Sequence, residues 1–270
     1  MSRLPNLVTF ITDFGLDWGP VGICHAVMRG INPQISIVDI SHGIPAFDIR
    51  AGAWVLTSIF PYVPPAVHVV VVDPGVGTQR LPIAILCRRG DVLIGPDNGV
   101  LMPATRRLGG IVEARKISNK ALMRPDISYT FHGRDIFCPV AAHLSSGVSF
   151  EDVGEVLPIS DLVQAPWREP EIYEHRVVAE VAILDKFGNI RTNIEAADWP
   201  LSTGEKIILK HKNNQVNLPV ARTFGEVNRG DLLIYEDSSR FICIGQNLGH
   251  AGNTLGIGPG DTIQLERARS

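Results

Sequence analysis

A mostly apolar run over residues 67–72 stops at Asp73 and is followed by Pro-Gly-Val-Gly, and no other feature constrains the fold as strongly. The run is typical of a buried strand. The proline and glycines can neither extend a strand nor begin a regular helix, so they predict a tight loop that exposes its backbone. Open α/β sheets place ligand sites at the carboxyl ends of their strands. Two interpretations follow for Asp73 and for Arg80 beyond the loop. Either they belong to a ligand site, or Asp73 only caps the turn and Arg80 is an ordinary surface residue.

Strand-like and helix-like segments alternate through the first part of the chain. Polar residues follow several of the strands, which predicts an α/β domain with a mostly parallel sheet flanked by helices. The predicted strands cover residues 7–11, 35–40, 67–72, 83–86 and 92–94. The predicted helices cover residues 20–30, 47–60 and 134–145.

The pattern changes after Pro158. Residues 161–170 contain Pro166-Trp-Arg-Glu-Pro170, which is typical of a stiff, extended linker. Short strands are predicted beyond it, with a hairpin turn at Lys212-Asn213-Asn214-Gln215. We therefore predict a catalytic α/β domain over residues 1–160, a linker over 161–170 and a smaller, mostly β domain over 171–270.

Charge and cysteine usage exclude several classes of protein. The formal net charge is −3, and no basic stripe is present that would indicate a nucleic-acid partner. The four cysteines are scattered without Cys-x-x-Cys spacing, so we expect buried, reduced thiols in a cytoplasmic protein. Neither a signal peptide nor an apolar run long enough to span a membrane is recognisable.

Polar residues at the predicted strand ends of the first domain form the candidate chemistry. A single one of these is usually a cap or a turn residue, whereas several at one sheet edge indicate a site. Two functions fit: a metallohydrolase, or a metal-free enzyme or binding protein for a small polar ligand such as a nucleoside. Metal-ligand spacings such as His-x-x-x-His are missing, so we expect no metal and no cofactor. The candidates are Asp13, Asp39, His42, Asp73, Arg80, Asp97, Asn98, His132 and Asp135.

Six ordered motifs carry a resemblance to a known family. They are Thr12-Asp13-Phe14-Gly15, Asp39-Ile-Ser-His42, Val-Val-Asp73-Pro-Gly-Val-Gly-Thr-x-Arg80, Gly95-Pro-Asp97-Asn98-Gly99, Phe131-His132-Gly-Arg-Asp135 and Asp185-x-Phe187-Gly-Asn189. Together they resemble the S-adenosyl-L-methionine (SAM) hydroxide adenosyltransferases, relatives of the bacterial fluorinase and chlorinase. The likeness extends from about residue 7 to about residue 265. It implies a barrel-like second domain and a homotrimer with ligand sites between subunits.

The resemblance also implies a reaction, the hydrolysis of SAM to adenosine and L-methionine by attack at the ribose 5′ carbon. The family's Asp–Arg–His set corresponds to Asp73, Arg80 and His132, whereas the halogenating relatives differ at the Asp and His positions. A sulfonium leaves as a neutral thioether, so the barrier lies in placing a desolvated oxygen nucleophile in line. We expect Asp73 to orient the water and receive its proton late, with Arg80 and His132 stabilising hydroxide character.

Substrate-binding positions follow from the same resemblance. Asp13 corresponds to the carboxylate that holds both ribose hydroxyls, and this role is favoured over the alternative, an N-cap on the following turn. Asp185 corresponds to the ligand of the methionine ammonium. The remaining implied contacts, to the adenine, the ribose or the methionine carboxylate, are Phe47, Phe187, Asn189, Phe224, Ser239, Asn247 and Leu248.

Two departures from the family pattern and two alternative functions remain open. Trp18 and Pro20 stand where many relatives have an aspartate and a tyrosine, which puts the contacts of that loop in doubt. The first alternative is a chlorinase-like adenosyltransferase that uses a halide. The second is a protein that binds SAM or adenosine without turnover.

Overall fold

The structure is a computed structural model that describes residues 6–268. The chain divides into two compact units between Pro166 and Trp167, inside the predicted linker segment. The start of that segment packs on the first unit, since Leu162 is buried and the Val163 N–H donates to Asp97 Oδ1 at 3.0 Å. Over the described residues, no helix combines the length and the apolar character that crossing a membrane requires.

A seven-stranded sheet forms the centre of the first unit, in the order β2-β1-β3-β5-β4-β6-β7. The pairs β2/β1, β1/β3 and β3/β5 are parallel, as predicted, whereas β5/β4, β4/β6 and β6/β7 are antiparallel, so the sheet is mixed. Its strands are β1 (Leu7–Thr12), β2 (Ser36–Ser41), β3 (Val67–Val71), β4 (Pro82–Cys87), β5 (Val92–Pro96), β6 (Ile111–Lys116) and β7 (Val156–Leu157).

Four α-helices accompany this sheet: α1 (Pro20–Ile31), α2 (Ile49–Ser58), α3 (Met102–Arg107) and α4 (Cys138–Ser146). The Asp48 carboxylate caps α2 by accepting from the Ala51 N–H at 2.9 Å. Phe47 has a φ of 67°, so α2 begins later than the residue-47 start that the sequence predicts. The predicted helix 134–145 also differs, because residues Gly133–Phe137 form a π-helical turn before α4 starts.

Parallel pairing brings the polar ends of two strands together. Thr12, the last residue of β1, is in register with Val71, the last residue of β3. The chain segments that leave these two positions therefore start side by side at one edge of the sheet. This register is what allows Asp13 and Asp73 to line one cavity.

The second unit is an antiparallel sheet whose ends meet, which makes it barrel-like. The main strand order is β12-β11-β15-β9-β10-β14-β13, and β8 pairs with β9. A bridge between Val220 and Ile234 joins the chain after β12 to β13. The strands are β8 (Glu171–Ile172), β9 (Arg176–Leu184), β10 (Ile190–Glu195), β11 (Lys206–His211), β12 (Asn214–Pro219), β13 (Leu232–Glu236), β14 (Phe241–Gln246) and β15 (Thr262–Arg267).

The predicted hairpin turn is confirmed, because His211 pairs with Asn214 across the β11/β12 turn and Lys212 has a φ of 53°. Strands β6, β7, β8 and β10 were not predicted, and the polar residues of β10 interrupt its apolar pattern. The short helix α5 (Ala251–Leu255) follows β14. All four cysteines are buried and unlinked, as expected.

Candidate active site

Arg80 lies between the two other members of the predicted set and contacts both. Its Nε donates to Asp73 Oδ1 at 2.9 Å and to Oδ2 at 3.0 Å, and its Nη2 also donates to Oδ2. The same Nη2 lies 2.9 Å from His132 Nδ1. The side chains of Asp73 and Arg80 are only 5% and 9% exposed, so this ion pair is shielded from water.

The contact with Arg80 defines the state of the histidine. A guanidinium can only donate, so His132 Nδ1 must accept and the ring proton must be on Nε2. Burial lowers the pKa of His132, and the adjacent positive charge of Arg80 lowers that pKa further. His132 is therefore a neutral imidazole near pH 7, with an N–H to donate rather than a positive charge.

One donor of Arg80 is unused. Its Nη1 is buried and has no hydrogen-bond partner among the described residues. The guanidinium carbon lies 5.2 Å from the centre of the Phe137 ring, which is fully buried at the end of the π-helical turn. A buried, charged donor without a partner is costly, so Nη1 is suited to a ligand or water oxygen.

Asp13 lies at the same site but does not cap its own turn. Its Oδ2 accepts from the Phe47 N–H at 2.9 Å, a contact that links the ends of β1 and the β2–α2 loop. Phe47 has a positive φ of 67°, and the residue is 68% exposed. Backbone conformations of this kind are concentrated at ligand sites.

A cavity of about 260 Å³ lies at this site, and Arg80 is not among the residues that line it. Its polar walls are Asp13, Asp73 and His132, and its aromatic walls are Phe14, Phe47 and Phe131. The rings of Phe14 and Phe131 pack edge to face with their centres 5.6 Å apart. The remaining lining residues are Ala46, Val71, Val76, Thr130 and Gly133.

Two of these wall residues, Phe14 and Phe131, were not among the predicted site residues. Both stand inside motifs that carry the family resemblance, each directly beside a predicted site residue, and that adjacency was the available signal. Gly133 belongs with them, because a Cβ there would lie 3.0 Å from Phe14 Cζ. A side chain at position 133 would therefore push on the aromatic wall.

Three other candidate residues of the first unit make hydrogen bonds within the protein that hold its loops in place. Asn98 donates from Nδ2 to the Val72 carbonyl at 2.9 Å, which holds the chain just before Asp73. Asp135 is buried and accepts from Arg134 Nε at 2.7 Å and from the Ser128 N–H at 2.9 Å. Burial raises the pKa of Asp97, whose Oδ1 accepts from the N–H of Val163.

Asp39 and His42 form a separate cluster with His25, which the sequence analysis did not name. Asp39 Oδ1 lies 2.9 Å from His25 Nε2 and 3.0 Å from His42 Nε2. The donor atoms of the three residues lie within 4.8 Å of one another and are the one group of three such ligands found within residues 6–268. None of the three is among the described residues that line the cavity.

In the second unit, Asp185 organises the turn between β9 and β10. Its Oδ1 accepts from the N–H groups of Phe187 and Asn189 at 2.9 and 3.0 Å. Its Oδ2 accepts from Asn189 Nδ2 at 2.9 Å and from Arg191 Nη2 at 2.7 Å. Burial raises the pKa of Asp185, but these hydrogen bonds from Asn189 and Arg191 outweigh burial and hold the pKa below its ordinary value.

Arg191 is the residue of this unit that the sequence analysis missed. It also donates from Nη1 to Asp237 Oδ2 at 2.6 Å, and Asp237 precedes Ser239 in the turn between β13 and β14. One guanidinium thus connects the two turns that carry Asp185 and Ser239. The feature of the sequence that points to Arg191 is its position two residues after the Phe-Gly-Asn motif.

The other predicted substrate contacts of the second unit include packed, exposed and hydrogen-bonded side chains. A Cβ on Gly245 would lie 2.6 Å from the Phe224 ring and 2.9 Å from Asn189 Oδ1, so those two side chains meet over this glycine. Phe187 and Leu248 are 66% and 78% exposed. Asn247 donates from Nδ2 to the Val227 carbonyl at 2.8 Å.

Comparison with known proteins identifies the class to which this fold and cavity belong. The profile of the SAM hydroxide adenosyltransferase N-terminal domain matches residues 8–154, and that of the C-terminal domain matches residues 179–264. The chain therefore belongs to the SAM hydroxide adenosyltransferase family.

Individual relatives agree with this membership. A protein named (R)-S-adenosyl-L-methionine hydrolase from Salinispora tropica is 39% identical over 96% of this chain and 97% of its own. A crystal structure of an uncharacterised conserved protein from Thermotoga maritima superposes with a TM-score of 0.88 at 38% identity, covering 96% of this chain and all of the other. A fluorinase from an Actinoplanes species is 24% identical over 97% of this chain and 98% of its own.

Proposed function

We propose that this protein hydrolyses SAM to adenosine and L-methionine at the cavity lined by Asp13, Asp73 and His132, with Arg80 in contact with the last two. The observation that carries the proposal is the guanidinium of Arg80, which joins a shielded carboxylate to a neutral imidazole and keeps one buried donor unpaired. Membership of the family and the names of the relatives support the same reaction.

The proposed chemistry is a single displacement. A water oxygen forms a bond to the ribose 5′ carbon, and the bond from that carbon to sulfur breaks with its electron pair going to sulfur. Methionine leaves as a neutral thioether, so neither a general acid nor a metal is needed. Asp73 is proposed to orient the water by accepting its hydrogen bond and to receive its proton late, as the new carbon–oxygen bond forms.

The other residues act by position and electrostatics. Arg80 Nη1 and the Nε2–H of His132 are proposed to donate to the oxygen as negative charge builds on it, and one such donor typically contributes about 3 kcal/mol. Asp13 is proposed to hold the ribose hydroxyls with the oxygen that does not bind the Phe47 N–H, since ionised carboxylates only accept hydrogen bonds. Phe14, Phe47 and Phe131 exclude water from the remaining surface of the cavity.

We also propose that the site is shared between copies of this chain in a homotrimer, with the second unit of a neighbouring copy supplying Asn189, Phe224, Asn247, Leu248 and Phe187 to the adenine. The cavity is smaller than the roughly 300–1,000 Å³ of pockets that enclose drug-sized ligands, so it suits only part of SAM. Asp185 and Ser239 are proposed to bind the methionine end, with Arg191 holding their two turns. Since five donors already reach Asp185, its contact with the ammonium must be shared with them.

The deciding experiment is incubation with SAM in oxygen-18 water, with and without chloride and a chelator, followed by mass spectrometry of the nucleoside. We expect adenosine with the heavy oxygen at its 5′ position in all cases. An Asp73→Asn variant should lose this product, whereas Asp152→Asn, at an exposed position of the same unit, should not. A 5′-chloro nucleoside would indicate a halogenase, and bound but unconverted SAM would indicate a binding protein.

A further inference from the structure

The cluster of His25, Asp39 and His42 is built from two segments of the first unit. His25 belongs to α1, Asp39 belongs to β2, and His42 follows that strand directly. Both imidazole Nε2 atoms approach the same carboxylate oxygen, at 2.9 and 3.0 Å. Ligands bound about 2.1 Å from a metal are roughly 3.0 Å apart at a right angle and roughly 3.4 Å apart at the tetrahedral angle. Two of the three separations between donor atoms therefore match a metal site, and all three atoms lie within 4.8 Å of one another.

The buried histidine supplies an independent observation. The His42 side chain is 3% exposed, and its Nε2 makes no well-aligned hydrogen bond to any described residue, although Asp39 is nearby. Its Nδ1 lies 2.8 Å from Thr12 Oγ1, which also accepts from the Phe14 N–H. In the tautomer in which Nδ1 donates to this hydroxyl, the Nε2 lone pair is directed at the carboxylate, and this is the tautomer that metal binding requires. Metal-bound histidines commonly have such a partner on their other nitrogen.

The two other groups provide access from solvent. The side chains of His25 and Asp39 are 28% and 39% exposed. Water can therefore complete the coordination of an ion held by all three residues. Two imidazoles and one carboxylate favour Zn²⁺, Co²⁺ or Ni²⁺ over Mg²⁺ and Ca²⁺, which prefer oxygen ligands.

We propose that His25, Asp39 and His42 bind a divalent transition-metal ion, with zinc as the natural occupant, at a site separate from the catalytic cavity. The ion would connect α1 to the edge strand β2 and, through His42 and Thr12, to the end of β1 next to Asp13. Its function is structural, since none of its ligands is among the described residues that line the cavity. The hydrolysis proposed above does not depend on it.

The test uses full-length, tag-free protein that has been stripped with a chelator and desalted. We expect one equivalent of Co²⁺ to bind and produce visible d–d absorption, zinc to displace it, and zinc to raise the thermal midpoint of unfolding. Removal of a ligand in His25→Ala should weaken binding at least about tenfold and abolish the absorption. The control is His175→Ala, at a side chain that is 75% exposed in the second unit.

Asp39→Asn is the second variant, because it keeps the volume of the side chain and removes its charge. It should also weaken binding, while both variants stay folded by circular dichroism. The proposal is overturned if wild-type protein binds neither Co²⁺ nor zinc, or if His25→Ala and Asp39→Asn bind them as tightly as His175→Ala does. Metal content is read without an activity assay, so this outcome is independent of the outcome of the oxygen-18 experiment.

Discussion

At the scale of single residues, the proposed chemistry depends on the forked shape of one guanidinium. Arg80 donates from one edge to Asp73 and from Nη2 to His132, and only a planar group with several fixed donors can do both. A lysine at position 80 has the charge without this geometry.

Arg80→Lys is therefore expected to lower kcat by about 10²–10³. The KM for SAM should change by much less, because the lost donors act on the attacking oxygen and not on the bound substrate. Steady-state kinetics measures both constants. Arg29→Lys, on the exposed face of α1, is the matched control and should behave as wild type. A normal kcat in Arg80→Lys would remove the bridging arginine from the mechanism.

His132 leads to a prediction about pH. Burial and Arg80 lower its pKa, so the neutral ring persists to below the ordinary value of 6.5. Protonation would place an Nδ1–H against the donors of Arg80 and disrupt the set. We expect kcat/KM to stay level as the pH falls from 8 and to decline only below about 6.5. A decline that began above pH 6.5 would contradict a neutral His132 in the active form.

At the scale of secondary-structure elements, the π-helical turn Gly133–Phe137 brings His132, the aromatic wall and the ring beneath Arg80 into one region. An alanine at position 133 would be crowded, because its Cβ would lie 3.0 Å from Phe14 Cζ. The sequence indicated a helix here but not its π-helical start, which depends on packing around residues 128–137.

Gly133→Ala is expected to displace Phe14 and raise the KM for SAM several-fold, with a smaller loss of stability of about 1 kcal/mol. Gly22→Ala is the control, since a Cβ at Gly22 meets no described atom within 4 Å and α1 should be stabilised by up to about 1 kcal/mol. Kinetics and thermal unfolding of both variants separate the two effects. A KM for SAM in Gly133→Ala equal to that of wild type would show that Phe14 does not contact the substrate.

The buried carboxylate of Asp91, which contacts Arg89 and His68, makes the stability of the protein depend on pH in acid. Burial raises the pKa of Asp91, but hydrogen bonds from Arg89 and His68 outweigh burial and bring the pKa to about 2. The unfolded chain, with an ordinary aspartate pKa near 3.9, binds more protons, so this contribution is complete above pH 4 and is lost as the pH falls toward 2. Burial also lowers the pKa of His68, which acts in the same direction below pH 6.5.

Asp91→Asn should therefore reduce the free energy of unfolding at pH 7 by roughly 2 kcal/mol or more, because the buried His68 and Arg89 lose a charged partner. Its stability should also fall less steeply than that of wild type between pH 4 and 2. Urea unfolding at a series of pH values measures both quantities. Parallel curves for the two proteins would show that Asp91 does not titrate as described.

At the scale of the whole molecule, the proposed sharing of sites between subunits can be tested by complementation. Asp73→Asn inactivates the first unit and Asn189→Ala the second, and each variant alone should be nearly inactive. Trimers assembled from an equal mixture should recover roughly a quarter of wild-type activity, because that fraction of sites combines two intact units from neighbouring copies. Activity no greater than the sum of the separate variants would place each site within one chain. Light scattering of wild-type protein checks the trimer itself.

The sequence by itself determined the two-unit architecture, most of the strands and the residues proposed for catalysis. Periodicity and turn residues are local properties, and the ordered motifs identified the family, so Asp73, Arg80 and His132 could be named without coordinates. The sequence analysis missed β10 because Arg191, Thr192 and Asn193 interrupt its apolar pattern, and their partners are distant in the chain.

Only the tertiary structure decided which groups face one another. It showed that burial and Arg80 lower the pKa of His132, that the oxygens of Asp185 are shared among five donors, and that His25 joins Asp39 and His42. These relationships depend on hydrogen bonds, strand register and burial between residues up to 52 positions apart, as for Arg80 and His132. Local sequence patterns carry no record of such separations, because the contacts exist only once the chain has packed.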